Sequence, residues 1–143
     1  MKHQADLQRV VQFYETLTAS SVAGLADVYT TDAWFKDPFN EVSGIAGIEA
    51  VFRHMFVQVE APRFVVTSHM VQGDQAFMTW DFLFCMRSKP MIEQCIRGAT
   101  HLRFAADGRV CLHRDYWDAA EELYEKIPVL GSLMRWLKRA ARA

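Results

Sequence analysis

Cysteine is scarce in this chain, and net charge scarcer still. Its 143 residues hold only Cys85, Cys95 and Cys111, an odd number without a CxxC pair. A disulfide framework is thereby excluded, and the thiols are expected to be reduced and half-buried. With 16 Lys and Arg against 17 Asp and Glu, the formal charge of -1 gives no general attraction to nucleic acid. No apolar run is long enough to span a bilayer, and the polar opening MKHQADLQ lacks the apolar core of a signal peptide. A cytoplasmic protein is the expectation. His54, His69 and His101 stand at no ligand spacing, so neither a metal site nor a cofactor is expected. Repeats, linkers and low-complexity stretches are missing too, which leaves one domain over residues 1–143.

What is present is apolar and patterned. Hydrophobic residues make up 51% and aromatics 13%, enough for a core and too much for a disordered chain. Leu7, Val10, Val11, Tyr14 and Leu17 recur at helical spacing and predict a helix over residues 4–18. Ser20 or Ser21 is placed to cap a short second helix carrying Leu25, Val28 and Tyr29 inward. Residues 30–32 read as a turn and 33–39 as a strand ended by Pro38, with Phe35 and Asp37 on one face. Gly44 and Gly47 precede a third helix striped by Ile48, Val51, Phe52, Met55 and Phe56, and Pro62 closes that region.

From Arg63 the period changes to two. Residues 63–72, 76–87, 91–105 and 109–117 are strand candidates, divided by Gly73-Asp74, Lys89-Pro90 and Asp107-Gly108. Connections that short favour antiparallel neighbours. Met78, Trp80, Phe82 and Phe84 share one face of the second candidate. Ile96, Gly98, Thr100, Leu102 and Phe104 share one face of the third, opposite Arg97, His101 and Arg103. Helices first and then a curved antiparallel sheet make an α+β fold.

The chemistry gathers in VCLHRDYWDAAEELYEKIPVL, residues 110–130. Alternation puts Cys111, His113, Asp115 and Trp117 on one strand face, and Asp118 then opens a helix with Glu121 three residues on. A carboxylate between a histidine and a tryptophan is costly to bury without a partner, so this face is where a ligand is expected, with His113 the candidate partner. Asp37 is the second inward carboxylate, either a general base in a dry pocket or a cap of the Pro38 turn. Trp80, Phe82, Phe84, Met78 and Ile96 are pocket wall or plain core, since both need the same residue types. Tyr14, on an apolar helix stripe, is by itself a core residue with a satisfied hydroxyl.

Helix, helix, a strand ending in Asp-Pro, helix and long antiparallel strands resemble the cone-shaped fold of nuclear transport factor two and its SnoaL-like relatives, over residues 5–127. AWFKDPFNEVSG is similar to the ketosteroid isomerase segment that carries the catalytic aspartate, matching at Asp37-Pro38. RVVQFYETL is similar to that enzyme's first helix, with Tyr14 at the oxyanion tyrosine, and its second oxyanion donor falls on Thr100. HRDYWD resembles the limonene epoxide hydrolase segment holding one catalytic aspartate, matching at Asp115; that enzyme's arginine and other aspartate fall on Trp80 and Phe82.

The resemblance implies a strongly curved antiparallel sheet packed on three N-terminal helices, and a homodimer through the sheet's outer face. Two functions follow. One is cofactor-free acid–base chemistry, as in an isomerase, cyclase or hydrolase, on a small apolar carbonyl or polyketide-like compound. Asp37 and Asp115 would be its acids, with Tyr14 and Thr100 offering hydroxyls. The other is a carrier or sensor of a lipophilic ligand. Beyond the resemblance, Pro128 starts a last helix carrying Val129, Leu130, Leu133, Trp136 and Leu137. Residues 127–143 hold Arg135, Lys138, Arg139 and Arg142 and no acid. This basic amphipathic helix over 128–143 reads first as a cover for the cone or a dimer partner, and second as a membrane-surface helix.

Overall fold

The computed structural model of the chain, which describes residues 2–122 and 128–142, begins with α1 (Gln4–Glu15). Leu7, Val10, Val11 and Tyr14 are buried along it, as their spacing predicts. It ends three residues early, where the Thr16 hydroxyl turns back to donate to the Gln12 carbonyl at 2.6 Å. The second helix is a 3-10 segment, Ser21–Asp27. Thr18 and Ser21 start it with reciprocal bonds, the Thr18 amide to Ser21 Oγ at 2.8 Å and the Ser21 amide to Thr18 Oγ1 at 3.1 Å.

The next element corrects two expectations. Tyr29 is not helical, and residues 30–32 are not a turn: all lie in β1 (Tyr29–Lys36). β-Branched Thr30 and Thr31 favour the extended chain; Ala33 and Phe35 are buried in alternation, and beyond a register break Tyr29 and Thr30 are buried side by side. β1 stops at Lys36, so Asp37 and Pro38 follow the strand. β2 (Glu41–Ser43) pairs back on β1; at three residues it is too short to show a period. In α2 (Ile45–Gln58) only Ile48 and Phe52 of the expected stripe are fully buried. Val51, Met55 and Phe56 are half-buried; Val51 and Met55 border a hollow.

Four long strands follow: β3 (Val59–Gln72), β4 (Gln75–Met86), β5 (Lys89–Phe104) and β6 (Val110–Tyr116). Pro62 does not close the helical region; it sits inside β3. That strand is a sheet edge and breaks register between Glu60 and Arg63, with Ala61 at φ +49, so the missing N–H costs no ladder bond there. The sheet order is β2-β1-β6-β5-β4-β3, antiparallel throughout except for the parallel β1–β6 pair. The bulges, with Gly98 in β5, let the sheet curl. A Cβ at Gly98 would collide with the Trp80 indole lying across it. The inner faces of β4 and β5 join α1 and α2 in one buried cluster.

Asp118 caps α3 (Ala119–Glu122), its Oδ1 accepting from the Ala120 and Glu121 amides at 3.0 and 3.1 Å. The expected continuation of that helix runs into residues 123–127, outside the described residues. α4 (Pro128–Ala141) starts at the expected proline. Of its stripe, the side chains of Val129 and Leu130 lie outside the described residues. No described helix is long and apolar enough to cross a membrane.

Candidate functional site

β6 carries the chemistry inward. Its register against β5 sets His113 opposite Leu102 and Asp115 opposite Thr100. Between the Phe104–Val110 and Arg103–Leu112 pairs the ladder gains a residue, and Cys111 is that extra residue. The inward series is therefore Val110, His113, Asp115. Cys111 leaves the face that strict alternation assigns it, and its thiol donates to the Arg103 carbonyl at 3.5 Å.

A continuous line of hydrogen bonds runs from here through the core. Trp80 Nε1–H donates to Thr100 Oγ1 at 2.7 Å, and the Thr100 hydroxyl donates to Asp115 Oδ1 at 2.6 Å. The same oxygen meets His113 Nε2 at 2.7 Å, and His113 Nδ1 meets the Tyr29 hydroxyl at 2.8 Å. Tyr29 in turn bonds the Tyr14 hydroxyl, which stands 3.4 Å from the same Nδ1. Phe35 stacks on the His113 ring with centroids 4.6 Å apart, fixing its plane.

The proton positions follow from what each group can do. An indole N–H only donates, so the Thr100 oxygen accepts from it and sends its one proton to Asp115. An ionised Asp115 only accepts, which puts a proton on His113 Nε2 and leaves Nδ1 of the neutral ring an acceptor. Tyr29 then donates to Nδ1, and Tyr14 donates to Tyr29. Burial pushes the Tyr14 hydroxyl well above its ordinary pKa, with Tyr29 and the Asp115 charge adding to it. Burial also raises Tyr29, against the lowering effect of its bond to Tyr14. Both phenols stay protonated, so Tyr14, Tyr29 and His113 donate head to tail from one side and Trp80 and Thr100 from the other, and all five donors lead to one carboxylate oxygen.

The other oxygen, Asp115 Oδ2, takes no part in this line. Among the described residues no buried side-chain nitrogen or oxygen lacks a partner, so an unengaged Oδ2 is an accessible one. The Asp115 side chain is 18% exposed and lines a cavity of about 550 Å³, within the range that encloses a small ligand. The walls are apolar: Phe82, Phe84 and Ile96 from the sheet, Val51 and Met55 from α2, and Trp117 beyond β6. Arg87 also borders the cavity. It ties the β4–β5 turn to the C-terminal end of α2, donating to the Val57 and Phe56 carbonyls at 2.6 and 3.1 Å.

Asp37, Trp80, Phe82, Phe84, Ile96 and Trp117 line the cavity with Asp115. Tyr14, Met78 and Thr100 do not. With Asp115 they border a separate crevice of about 10 Å³, room for about one water. His113 borders neither; 1% exposed, it backs Asp115 instead of facing a ligand. For Asp37 the turn alternative holds. Its Oδ1 accepts from the Phe39 and Asn40 amides at 2.8 and 2.7 Å, and Asn40 Nδ2 lies 3.1 Å from both oxygens. Two carboxylates thus reach one cavity, but both oxygens of Asp37 are already engaged. No three His, Cys, Asp or Glu side chains gather as for a metal ion among the described residues.

Sequence reasoning missed Tyr29 as a member of the line, because the strand was started four residues late, and a register break between Tyr29 and Trp34 interrupts the alternation that leads back to it. It also missed Phe64, which stacks on Phe82 at 4.7 Å and lines both the cavity and the crevice. In β3, Phe64 alternates with Pro62 and Val66, all half-buried between exposed neighbours, and that period is the signal that marks it.

The profile of the SnoaL-like domain matches residues 10–113. By sequence, no curated protein matches the chain. Solved structures of similar fold include a SnoaL-like polyketide cyclase candidate from Shewanella putrefaciens, 21% identical, with 83% of this chain and 96% of that one covered and a TM-score of 0.67. A protein of ketosteroid isomerase-like fold from Catenulispora acidiphila, in complex with trimethylamine, is 14% identical over 84% and 90% of the two chains, with a TM-score of 0.70. TerC, co-crystallised with polyporic acid, is 12% identical over 85% and 95%, with a TM-score of 0.71. At these identities the likeness is one of fold.

Proposed function

The chain belongs to the SnoaL-like domain family, and from that premise we propose that it is a cofactor-free acid–base enzyme acting on a small apolar carbonyl or polyketide-like compound, with Asp115 as general base. One observation carries this reading. Asp115 lines an apolar cavity, with its Oδ1 held by Thr100 and His113 at 2.6 and 2.7 Å and its Oδ2 unengaged. A carboxylate fixed in this way keeps its aim at a bound substrate.

In the step envisaged, a C–H bond beside the substrate carbonyl breaks and an O–H bond forms on Asp115 Oδ2. The electron pair passes to the carbonyl oxygen as an enolate. Return of the proton to another carbon gives isomerisation; attack of the enolate carbon on a second carbonyl of the same molecule forms the ring bond, and the alkoxide that results takes the proton back from Asp115. Trp80, Phe82, Ile96 and Trp117 exclude water from the enolate. His113 acts as a positioning residue, and Tyr29 fixes its tautomer. TerC, which shares the fold, was co-crystallised with polyporic acid, in keeping with a cavity that accepts compact organic molecules.

The test needs no product. Cyclic ketones such as β-tetralone are incubated with the protein in heavy water, and deuterium entry beside the carbonyl is followed by NMR. The expected outcome is accelerated exchange that Asp115→Asn lowers by roughly 10²–10⁴. The second reading, a carrier or sensor of a lipophilic ligand, draws on Asp37, whose engaged oxygens leave the cavity one open acid. Ketone that binds, read by quenched tryptophan fluorescence, yet exchanges at the buffer rate would decide for the carrier.

A further inference from the structure

α4 lies beyond the part of the chain that matches the SnoaL-like domain, which ends at residue 113. Leu133, Trp136 and Leu137 are 50%, 57% and 45% exposed on it, so its apolar side is not spent on the core. At about 100° per residue, Leu133, Trp136, Leu137 and Ala140 fall within one arc of about 100°. Arg135, Lys138, Arg139 and Arg142 fall within an arc of similar width on the opposite side. Residues 128–142 contain no Asp or Glu.

We propose that α4 is a membrane-surface helix that lies on anionic lipid, its leucines and Trp136 sunk at the headgroup boundary and its four bases among the headgroups. The pairing of the two arcs selects this occupant. A nucleic acid or other polyanion would meet the bases and leave the apolar arc in water. A second copy of the chain would cover the apolar arc and leave the bases on the far side of the helix in water. A bilayer surface of anionic lipid satisfies both arcs at once. At 14 residues the helix is about 21 Å long, too short to cross and long enough to lie flat. The inference is independent of any catalytic role for Asp115.

The test uses the full chain and vesicles of phosphatidylcholine, either alone or with about one-third phosphatidylserine. The intact protein should sediment with the anionic vesicles at low salt, not with the neutral ones, and about 1 M salt should release it. The variant R135Q/K138Q/R139Q/R142Q should lose on the order of 10²–10³ in partitioning. The variant L133Q/W136Q/L137Q should lose binding as well, and both should keep the wild-type thermal melt, because none of the substituted side chains belongs to the buried cluster. Absence of sedimentation with anionic vesicles at low salt overturns the proposal. So does equal binding to neutral vesicles, or binding that survives the apolar triple change, as adsorption by charge alone would. Light scattering gives the last arm. A mass that drops by half in L133Q/W136Q/L137Q, without vesicle binding by the intact protein, would assign the face to a second copy.

Discussion

The line Tyr14–Tyr29–His113 makes an energetic prediction that a list of separate bonds would not. Tyr14→Phe removes one hydroxyl and leaves Tyr29 donating to His113 Nδ1 at 2.8 Å, so the loss is one net hydrogen bond, about 0.5–1.5 kcal/mol. Tyr29→Phe removes that donor, but the Tyr14 hydroxyl already stands 3.4 Å from Nδ1 and needs only a small tilt to take the place. The cost of the second variant is therefore also about 0.5–1.5 kcal/mol. The double change is different. His113 is 1% exposed, and with both hydroxyls gone Nδ1 has neither protein nor solvent to donate to it. An unsatisfied buried acceptor adds about 1–3 kcal/mol, so the double variant should lose more than the two singles together by at least about 1 kcal/mol. Urea unfolding of the four proteins, with m held constant across the set, measures that coupling. Additivity within about 0.5 kcal/mol would refute the substitution of one tyrosine for the other.

Gly98→Ala forces a methyl into the Trp80 indole, which must then leave Thr100; the expected loss is about 1–3 kcal/mol in urea, with a shift in tryptophan emission, and an unchanged midpoint would deny the contact. The two buried phenols also set an alkaline limit. Their folded pKa values lie above the ordinary 10.0 of the unfolded chain, so the unfolded state releases their protons first. Their contribution is fully present below about pH 10 and is lost as pH rises above it. Of the protein's 4 tyrosines, two should therefore give no tyrosinate absorbance until the chain unfolds. Four phenols ionising freely before the loss of structure would contradict the line.

Much of this was readable from residue order, where a rule with a fixed period applies. Alternation in β4 and β5 named the inner face correctly from Met78 to Phe104, because long strands with one face buried tolerate no slip. His113 was the expected partner of Asp115 for the same reason. The failures sit where one residue interrupts the period. The bulge at Cys111 changes which side chain opens the inward series of β6. The positive φ at Ala61 lets β3 carry a proline that reads as a stop. Tyr29 was lost because two threonines between apolar residues look like a turn, while the strand needs them for their branched side chains. The cavity itself was out of reach. Whether Val51 and Met55 face a packed core or a hollow depends on the curl of a sheet that reaches from β3 to β5, most of it distant in sequence from α2.

The two carboxylates show why residue type and position alone do not assign a role. Asp37 and Asp115 both reach the cavity, and a match to a catalytic segment points at each. What separates them is the backbone around them. Asp37 follows the last residue of β1, where the chain turns through Pro38, and the amides of that turn have no ladder to join. Its carboxylate supplies their acceptor and so belongs to the fold. Asp115 lies inside β6, whose amides are spent on its neighbours β5 and β1, so no local donor competes for it. Its partners come from side chains on two strands and bind one oxygen only. The carboxylate left with an open oxygen is the one whose backbone neighbours are already satisfied. That difference makes Asp115, and not Asp37, the group to substitute first in a search for activity.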